Sequence, residues 1–337
     1  MEIAAHGFDT LRPAWEFPEG LPTTDRGWRS EMLDAGFKAQ ASQMKDEKTG
    51  DYVTSEVWAW QDPTNSTLRL HLRGGRHLGA EFSVPRLLDD SPVNLRLASA
   101  DEAVEVIEYV GNLARLQIPG ASAPTLQKLA RADYACDLLA DSTAPGVISA
   151  GAQFQMPGTR KMNKQLHPHE GAIIRTPQQT MRTYSKGLEL LHKLTPAQRK
   201  QHATTIQYAK DRGLTRMEHM NRPRKAMALE YLEAGPRLFA DRLEQGFPGG
   251  VVYIGGLHKI RAEIDDLEVS AQRKNSLLAF ATRYAALGFE GMQAAYSRRT
   301  FYRQRQQFQD VGLCLDDITQ FHGEVDFNPV IHQLRAA

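Results

Sequence analysis

The sequence predicts an α+β protein in which an antiparallel sheet is interrupted by helices and followed by a helical, basic C-terminal region. Three observations predict it. Short runs with strand alternation recur at 67–72, 80–84, 129–138, 171–175, 180–186 and 214–220. Apolar residues at helical spacing occupy 99–116, and from Ser270 onward the pattern is helical throughout.

Taken in order, residues 1–65 contain Trp15, Trp28 and Trp58, many turn formers and a strand-like alternation at 52–60. They read as an irregular lead-in. The runs 67–72 and 80–84 flank a Gly-Gly and basic turn at 73–77, which predicts a hairpin. Val104, Ile107, Val110, Leu113 and Leu116 then form the apolar stripe of an amphipathic helix that covers one face of the sheet. A Pro/Gly break at 118–124 precedes the strand at 129–138, and a Gly/Ala/Ser-rich connection fills 142–158. Two strands at 171–175 and 180–186, a polar helical stretch at 196–210 and a strand at 214–220 complete the sheet. Residues 225–245 read as helix, broken or kinked by Pro236. The expected division is therefore an irregular segment at 1–65, an α+β domain at 66–265 and a helical region at 266–337.

Composition narrows the function. Of 337 residues, 41% are hydrophobic, enough for a substantial core, and 41 Lys plus Arg nearly balance 40 Asp plus Glu, so any nucleic-acid surface must be local. Cys136 and Cys314 have neither zinc nor disulfide spacing, which suits a reducing compartment. No basic stretch leads into an apolar one at the start, and no run approaches the roughly 20 apolar residues of a membrane span, so a cytoplasmic protein without membrane contact is expected. No Gly-x-x-x-x-Gly-Lys-Ser/Thr loop is present, which removes a nucleotide-driven motor.

Strand alternation over 180–186 places Arg182, Tyr184 and Lys186 on one face. A tyrosine oxygen can attack phosphorus and store the broken linkage as a phosphotyrosine if cations stabilise the developing charge. On spacing alone, a tyrosine between basic residues on a strand is usually a half-buried structural one. Arg131, Asp133 and Asp137 share a face of 129–138, and Arg216 and Glu218 share one of 214–220. Acids from separate strands suit Mg²⁺ or Mn²⁺, while ordinary Arg/Asp and Arg/Glu pairs are the competing reading. His167-Pro-His169 ranks below them, because proline cannot donate a strand hydrogen bond. Finally, Arg273, Lys274, Arg283, Arg298, Arg299, Arg303 and Arg305 oppose the single acid Glu290 within 271–307. Helices at 277–287 and 291–296, with a third capped by Ser297, would make a helix-turn-helix-like unit presenting Arg298, Arg299, Arg303 and Arg305 to DNA. A solvated basic helix is the plain alternative.

Several blocks, in order from about residue 67 to about residue 331, resemble the gene II replication-initiation proteins of filamentous bacteriophages. Leu129-Ala-Arg-Ala-Asp133 is similar to the family's Ser-Arg-Ile-Asp strand, with Ala132 in place of a bulkier residue. Thr183-Tyr-Ser-Lys-Gly-Leu-Glu-Leu190 resembles its Tyr-x-Lys-x-x-Glu-Leu block, after a shorter connection, and Leu214-Thr-Arg-Met-Glu218 its Leu-Val-Arg-Phe-Glu. Arg283-Tyr-Ala-Ala-Leu-Gly-Phe289, Ser297-Arg-Arg-Thr-Phe-Tyr-Arg303 and the turn after Val311 echo its C-terminal helices. His167-Pro-His169 is outside the pattern, and the first 65 residues match poorly.

The resemblance implies an antiparallel-sheet rolling-circle nickase (HUH-like) core. It implies Tyr184 as the residue joined to the 5′ end of the nick, Lys186 as its neighbour, and Asp133, Glu218 and Glu189 toward Mg²⁺ or Mn²⁺. Arg182 and Arg216 join the C-terminal arginines as expected DNA contacts. The implied partners are origin DNA of a phage or plasmid and a bacterial host's helicase, polymerase and single-strand-binding protein. A plasmid initiator or relaxase with the same chemistry, or a non-catalytic DNA-binding regulator of the same fold, are the alternatives.

Overall fold

The computed structural model describes residues 1–45, 52–89, 91–156, 162–167, 170–222, 227–313, 318 and 321–337. The chain is α+β, with extensive antiparallel pairing, and it divides into two compact units. His6–Ala135 with Met220–Gly235 form an N-proximal unit; Met1–Ala5, Cys136–His219 and Pro236–Ala337 form a C-proximal unit.

In the N-proximal unit, residues 1–65 depart from the expected irregular segment. They hold β1 (Glu2–Glu16), α1 (Arg26–Asp34), β2 (Lys38–Lys45) and all of β3 (Tyr52–Gln61). The turn formers separate these elements rather than replace them. In β1 the alternate residues Leu11, Pro13 and Trp15 are buried while Arg12 is exposed, the period of a half-buried strand. Asp25 caps α1 by accepting from the Trp28 N–H at 2.8 Å, and Trp28 packs edge-on against Trp58 with ring centroids 5.7 Å apart.

The expected hairpin is present as β4 (Arg69–Arg73) and β5 (His77–Ser83), with Leu72 opposite Leu78 and Leu70 opposite Ala80. A short helix, α2 (Val84–Asp89), leads on to α3 (Ala100–Gln117), which starts at a capping box between Ser99 and Glu102. Its buried face is Ala103, Val106, Ile107, Val110 and Ala114, rotated from the expected stripe, and Leu116 is 74% exposed. Small residues explain the rotation: Gly111 rests on Trp15, whose Nε1 lies only 3.3 Å from where a Cβ would be. With β6 (Thr125–Leu139), the strand order in this part of the sheet is β2-β3-β4-β5-β1-β6.

In the C-proximal unit the Gly/Ala/Ser-rich connection at 142–158, to which the sequence pattern assigns no element, contains α4 (Ala144–Gln153). Its small residues are the reason it forms where it does: a Cβ on Gly151 would fall 2.4 Å from Thr183 Oγ1, so only glycine lets helix and strand approach so closely. β7 (Asn163–His167), β8 (Gly171–Arg175) and β9 (Gln179–Ser185) form an antiparallel meander. α5 (Lys186–Lys193), α6 (Pro196–Gln201) and α7 (Ala203–Asp211) then lead into β10 (Leu214–Asn221), and the order here is β6-β10-β9-β8-β7. β10 is buried from Leu214 to Met220, as expected for a strand covered on both faces.

The 225–245 region resolves into α8 (Glu230–Glu233) and α9 (Gly235–Gly246), with Pro236 in the first turn of the latter, where its missing N–H costs nothing. Next come β11 (Val251–Ile254), α10 (Gly256–Asp266), α11 (Ala271–Ala295), α12 (Arg298–Gln309), β12 (Gly323–Asp326) and α13 (Asn328–Ala336). Two expectations fail here. The helices expected at 277–287 and 291–296 are one continuous α11, whose Leu277, Phe280, Ala281, Tyr284, Ala285 and Met292 all join one buried core that offsets the cost of about 1 kcal/mol per internal glycine. The tail is also not wholly helical, since β12 pairs antiparallel with β11. Ile260, Phe280, Tyr284, Phe301 and Phe308 give α10, α11 and α12 a common core. No helix among the described residues is long and apolar enough to cross a membrane.

Candidate functional site

The candidate site lies in the C-proximal unit, where β9 and β10 are neighbours. Thr183 points toward α4, so its neighbours in β9, Arg182 and Tyr184, face the other way. Glu218, on β10, is 3% exposed and is the point on which the site converges. The Tyr184 hydroxyl donates to Glu218 Oε2 at 3.4 Å, and Arg182 Nη1 is 3.5 Å from Glu218 Oε1. The first distance is long beside the usual ~2.7–2.8 Å for an O–H···O bond. Gly171 sits directly opposite Tyr184, and a Cβ there would lie 2.8 Å from the tyrosine Cβ.

Lys186 does not continue β9 as expected. Ser185 accepts from the Leu188 N–H and caps α5, so Lys186 is the first residue of a helix. It still reaches the tyrosine: its Nζ is 5.7 Å from the Tyr184 ring centroid and 2.6 Å from Glu189 Oε2. Lys186 is 2% exposed, and Lys193 also binds Glu189. Burial raises the Glu189 pKa, but the Lys186 and Lys193 charges outweigh it and bring it down to about 2. Arg182 thus lies against Glu218, and Lys186 and Lys193 lie against Glu189.

The other charged residues singled out on β10 and β6 are paired with one another. Arg216 is wholly buried and its Nε and Nη2 donate to Asp137 Oδ1 and Oδ2 at 2.6 and 2.7 Å. As placed, this bidentate pair braces β6 against β10, and Arg216 is not exposed to DNA. Asp133 falls in the N-proximal unit and is fully buried. Arg131 binds both of its carboxylate oxygens, and Arg131 Nη1 reaches Glu81 Oε1 at 2.7 Å.

For Mg²⁺ or Mn²⁺, Asp133 and Glu189 are already neutralised by protein cations, and no three His, Cys, Asp or Glu side chains converge among the described residues. His169 lies outside the described residues, as does Pro168, and His167 ends β7.

Four arginines named from the sequence sit on α12. Ser297 caps it through the Thr300 N–H, Phe301 and Phe308 face inward, and Arg298, Arg299 and Arg303 are exposed while Arg305 is half-buried. The Arg298 guanidinium lies 5.9 Å from the Tyr302 ring centroid, an exposed cation on an aromatic face.

Sequence reasoning missed His219, which points away from Glu218 on the opposite face of β10. It is buried, its Nε2 makes no hydrogen bond, and burial, with the nearby Arg242 charge, lowers its pKa to about 3. Gly171 and Gly151 were also missed. Only a β9 already placed in three dimensions reveals why glycine is needed at either.

Comparison with known proteins gives no match: no family model fits the chain, and no curated protein aligns with it.

Proposed function

We propose that the chain is a DNA-nicking and strand-closing initiator of rolling-circle replication that holds the cut 5′ end on Tyr184. The observation that carries the reading is a half-buried tyrosine whose hydroxyl faces a buried carboxylate, with Arg182 and Lys186 on either side. The order of short motifs shared with the phage initiators supports it.

In the proposed reaction Tyr184 Oη attacks the scissile phosphorus as Glu218 accepts the phenolic proton. The P–O3′ bond breaks, and the departing 3′ oxygen takes a proton from water, leaving a 3′-OH and a 5′-phosphotyrosine. Arg182 and Lys186 stabilise the charge that builds on the phosphoryl oxygens. The 3′-OH primes a host polymerase. After one round a new 3′-OH attacks the phosphotyrosine, regenerates Tyr184 and closes the displaced circle, so bond energy is conserved without a nucleotide cofactor. Mg²⁺ or Mn²⁺ would polarise the phosphodiester when bound, and none of these steps depends on where it sits.

Exposed Arg298, Arg299 and Arg303 on α12 would bind the duplex origin through phosphates and base edges. The test is incubation with supercoiled plasmids carrying intergenic DNA of the encoding genome, with and without Mg²⁺, followed by denaturing electrophoresis. A nicked circle with protein covalently attached to its 5′ end is expected. Binding without any adduct in either condition would favour the non-catalytic regulator.

A further inference from the structure

We propose that His258 and His322, oriented by Tyr253, form a surface site for a divalent transition metal of the zinc, copper or nickel kind, separate from the Tyr184 site and independent of its chemistry. All three residues belong to the C-proximal unit and all three are exposed. Tyr253 is on β11 and His258 is in the first turn of α10, which begins two residues after that strand ends. His322 immediately precedes β12. The pairing of Ile254 with Gly323 and of Tyr253 with Glu324 brings it beside Tyr253.

The two imidazole centroids are 5.0 Å apart with the rings inclined at 54°. A tetrahedral ion held by two imidazoles at ~2.0–2.1 Å places their centroids about 5 Å apart, the spacing these two rings have. Tyr253 Oη lies 2.8 Å from His322 Nε2. With Nε2–H donating to the phenol, Nδ1 keeps its lone pair, and a hydrogen bond on the second ring nitrogen is the usual means of orienting a ligand histidine. The edge-on contact of Tyr253 with the same ring, centroids 5.6 Å apart at 82°, fixes its plane. Neutral nitrogen donors select zinc, copper or nickel over Mg²⁺ or Ca²⁺, which want oxygen. Exposure leaves the remaining positions to water or to an incoming ligand.

The experiment is titration of the untagged full-length chain with ZnCl₂ by isothermal calorimetry in a non-chelating buffer. One micromolar site is expected, lost in His258→Gln and in His322→Gln and weakened about tenfold in Tyr253→Phe. Co²⁺ in place of zinc should give the visible absorption of a four-coordinate site in the wild type and not in His322→Gln. Failure of the wild type to bind zinc, or binding that both histidine variants leave unchanged, would overturn the proposal.

Discussion

Asp133 is clasped by Arg131, Asp137 by Arg216 and Glu189 by two lysines, and Glu218 meets the Tyr184 hydroxyl at 3.4 Å and the Arg182 guanidinium at 3.5 Å. In the proposed reaction Glu218 takes the tyrosine's proton. Glu218→Gln keeps the shape and removes the basicity, so adduct formation should fall about 10²- to 10³-fold with origin binding unchanged. Loss of binding in parallel would mean that Glu218 supports the fold instead. His219, one residue on, gives a pH prediction. It stays neutral in the fold down to about pH 3, while in the unfolded chain it takes a proton near pH 6.5. Its contribution is therefore complete above about pH 6.5 and shrinks as pH falls toward 3. Denaturant unfolding at pH 7 and pH 5 should show a loss of about 2 kcal/mol that His219→Leu removes. An identical loss in that variant would assign it to other groups. Tyr184 and Glu218 were legible in the sequence as members of alternating strands. Their mutual contact was not, because strand order is a long-range property, and His219 carried no local signal at all.

At the scale of elements, small residues and caps decide the outcome. α4 went unread because Gly, Ala and Ser mark both loops and closely packed helices, and only the neighbour at Thr183 distinguishes them. Gly151→Ala would drive a methyl group into that threonine on the strand that carries Tyr184. It should cost about 1–3 kcal/mol in thermal or denaturant unfolding and lower adduct yield as β9 shifts. A fully stable variant would show that α4 and β9 can separate without cost. α5 went unread: the strand was carried to Lys186, where the Ser185 cap instead starts a helix, yet the lysine still reaches Tyr184. α12 was legible from its cap and its arginines, while α11 was read as two helices, at 277–287 and 291–296, and forms one. With Phe301 and Phe308 turned inward, Arg298 and Arg299 are free of the core. Arg298→Ala/Arg299→Ala should weaken duplex origin binding and reduce its log–log salt slope by about two units, leaving cleavage of a single-stranded oligonucleotide intact. Equal loss of both activities would make α12 a support of the fold alone.

For the whole molecule, the α+β class was legible because alternating runs and helical stripes are local, and six of the strands stand close to where periodicity puts them. The N-terminal strands were not, since β1 and β2 declare themselves only through partners distant in sequence. Near-neutral charge told nothing of function, and the basic excess is local to α11 and α12. The account joins these parts through one covalent event, so one measurement bears on it most directly. The protein-DNA adduct formed on supercoiled origin DNA is isolated, trimmed with nuclease and mapped by peptide mass spectrometry, with Tyr184→Phe treated in parallel. The account predicts a nucleotide attached to Tyr184 in the wild type, and a variant that folds and binds DNA yet yields no adduct. A nucleotide on another residue, or an adduct of normal yield from Tyr184→Phe, would contradict it.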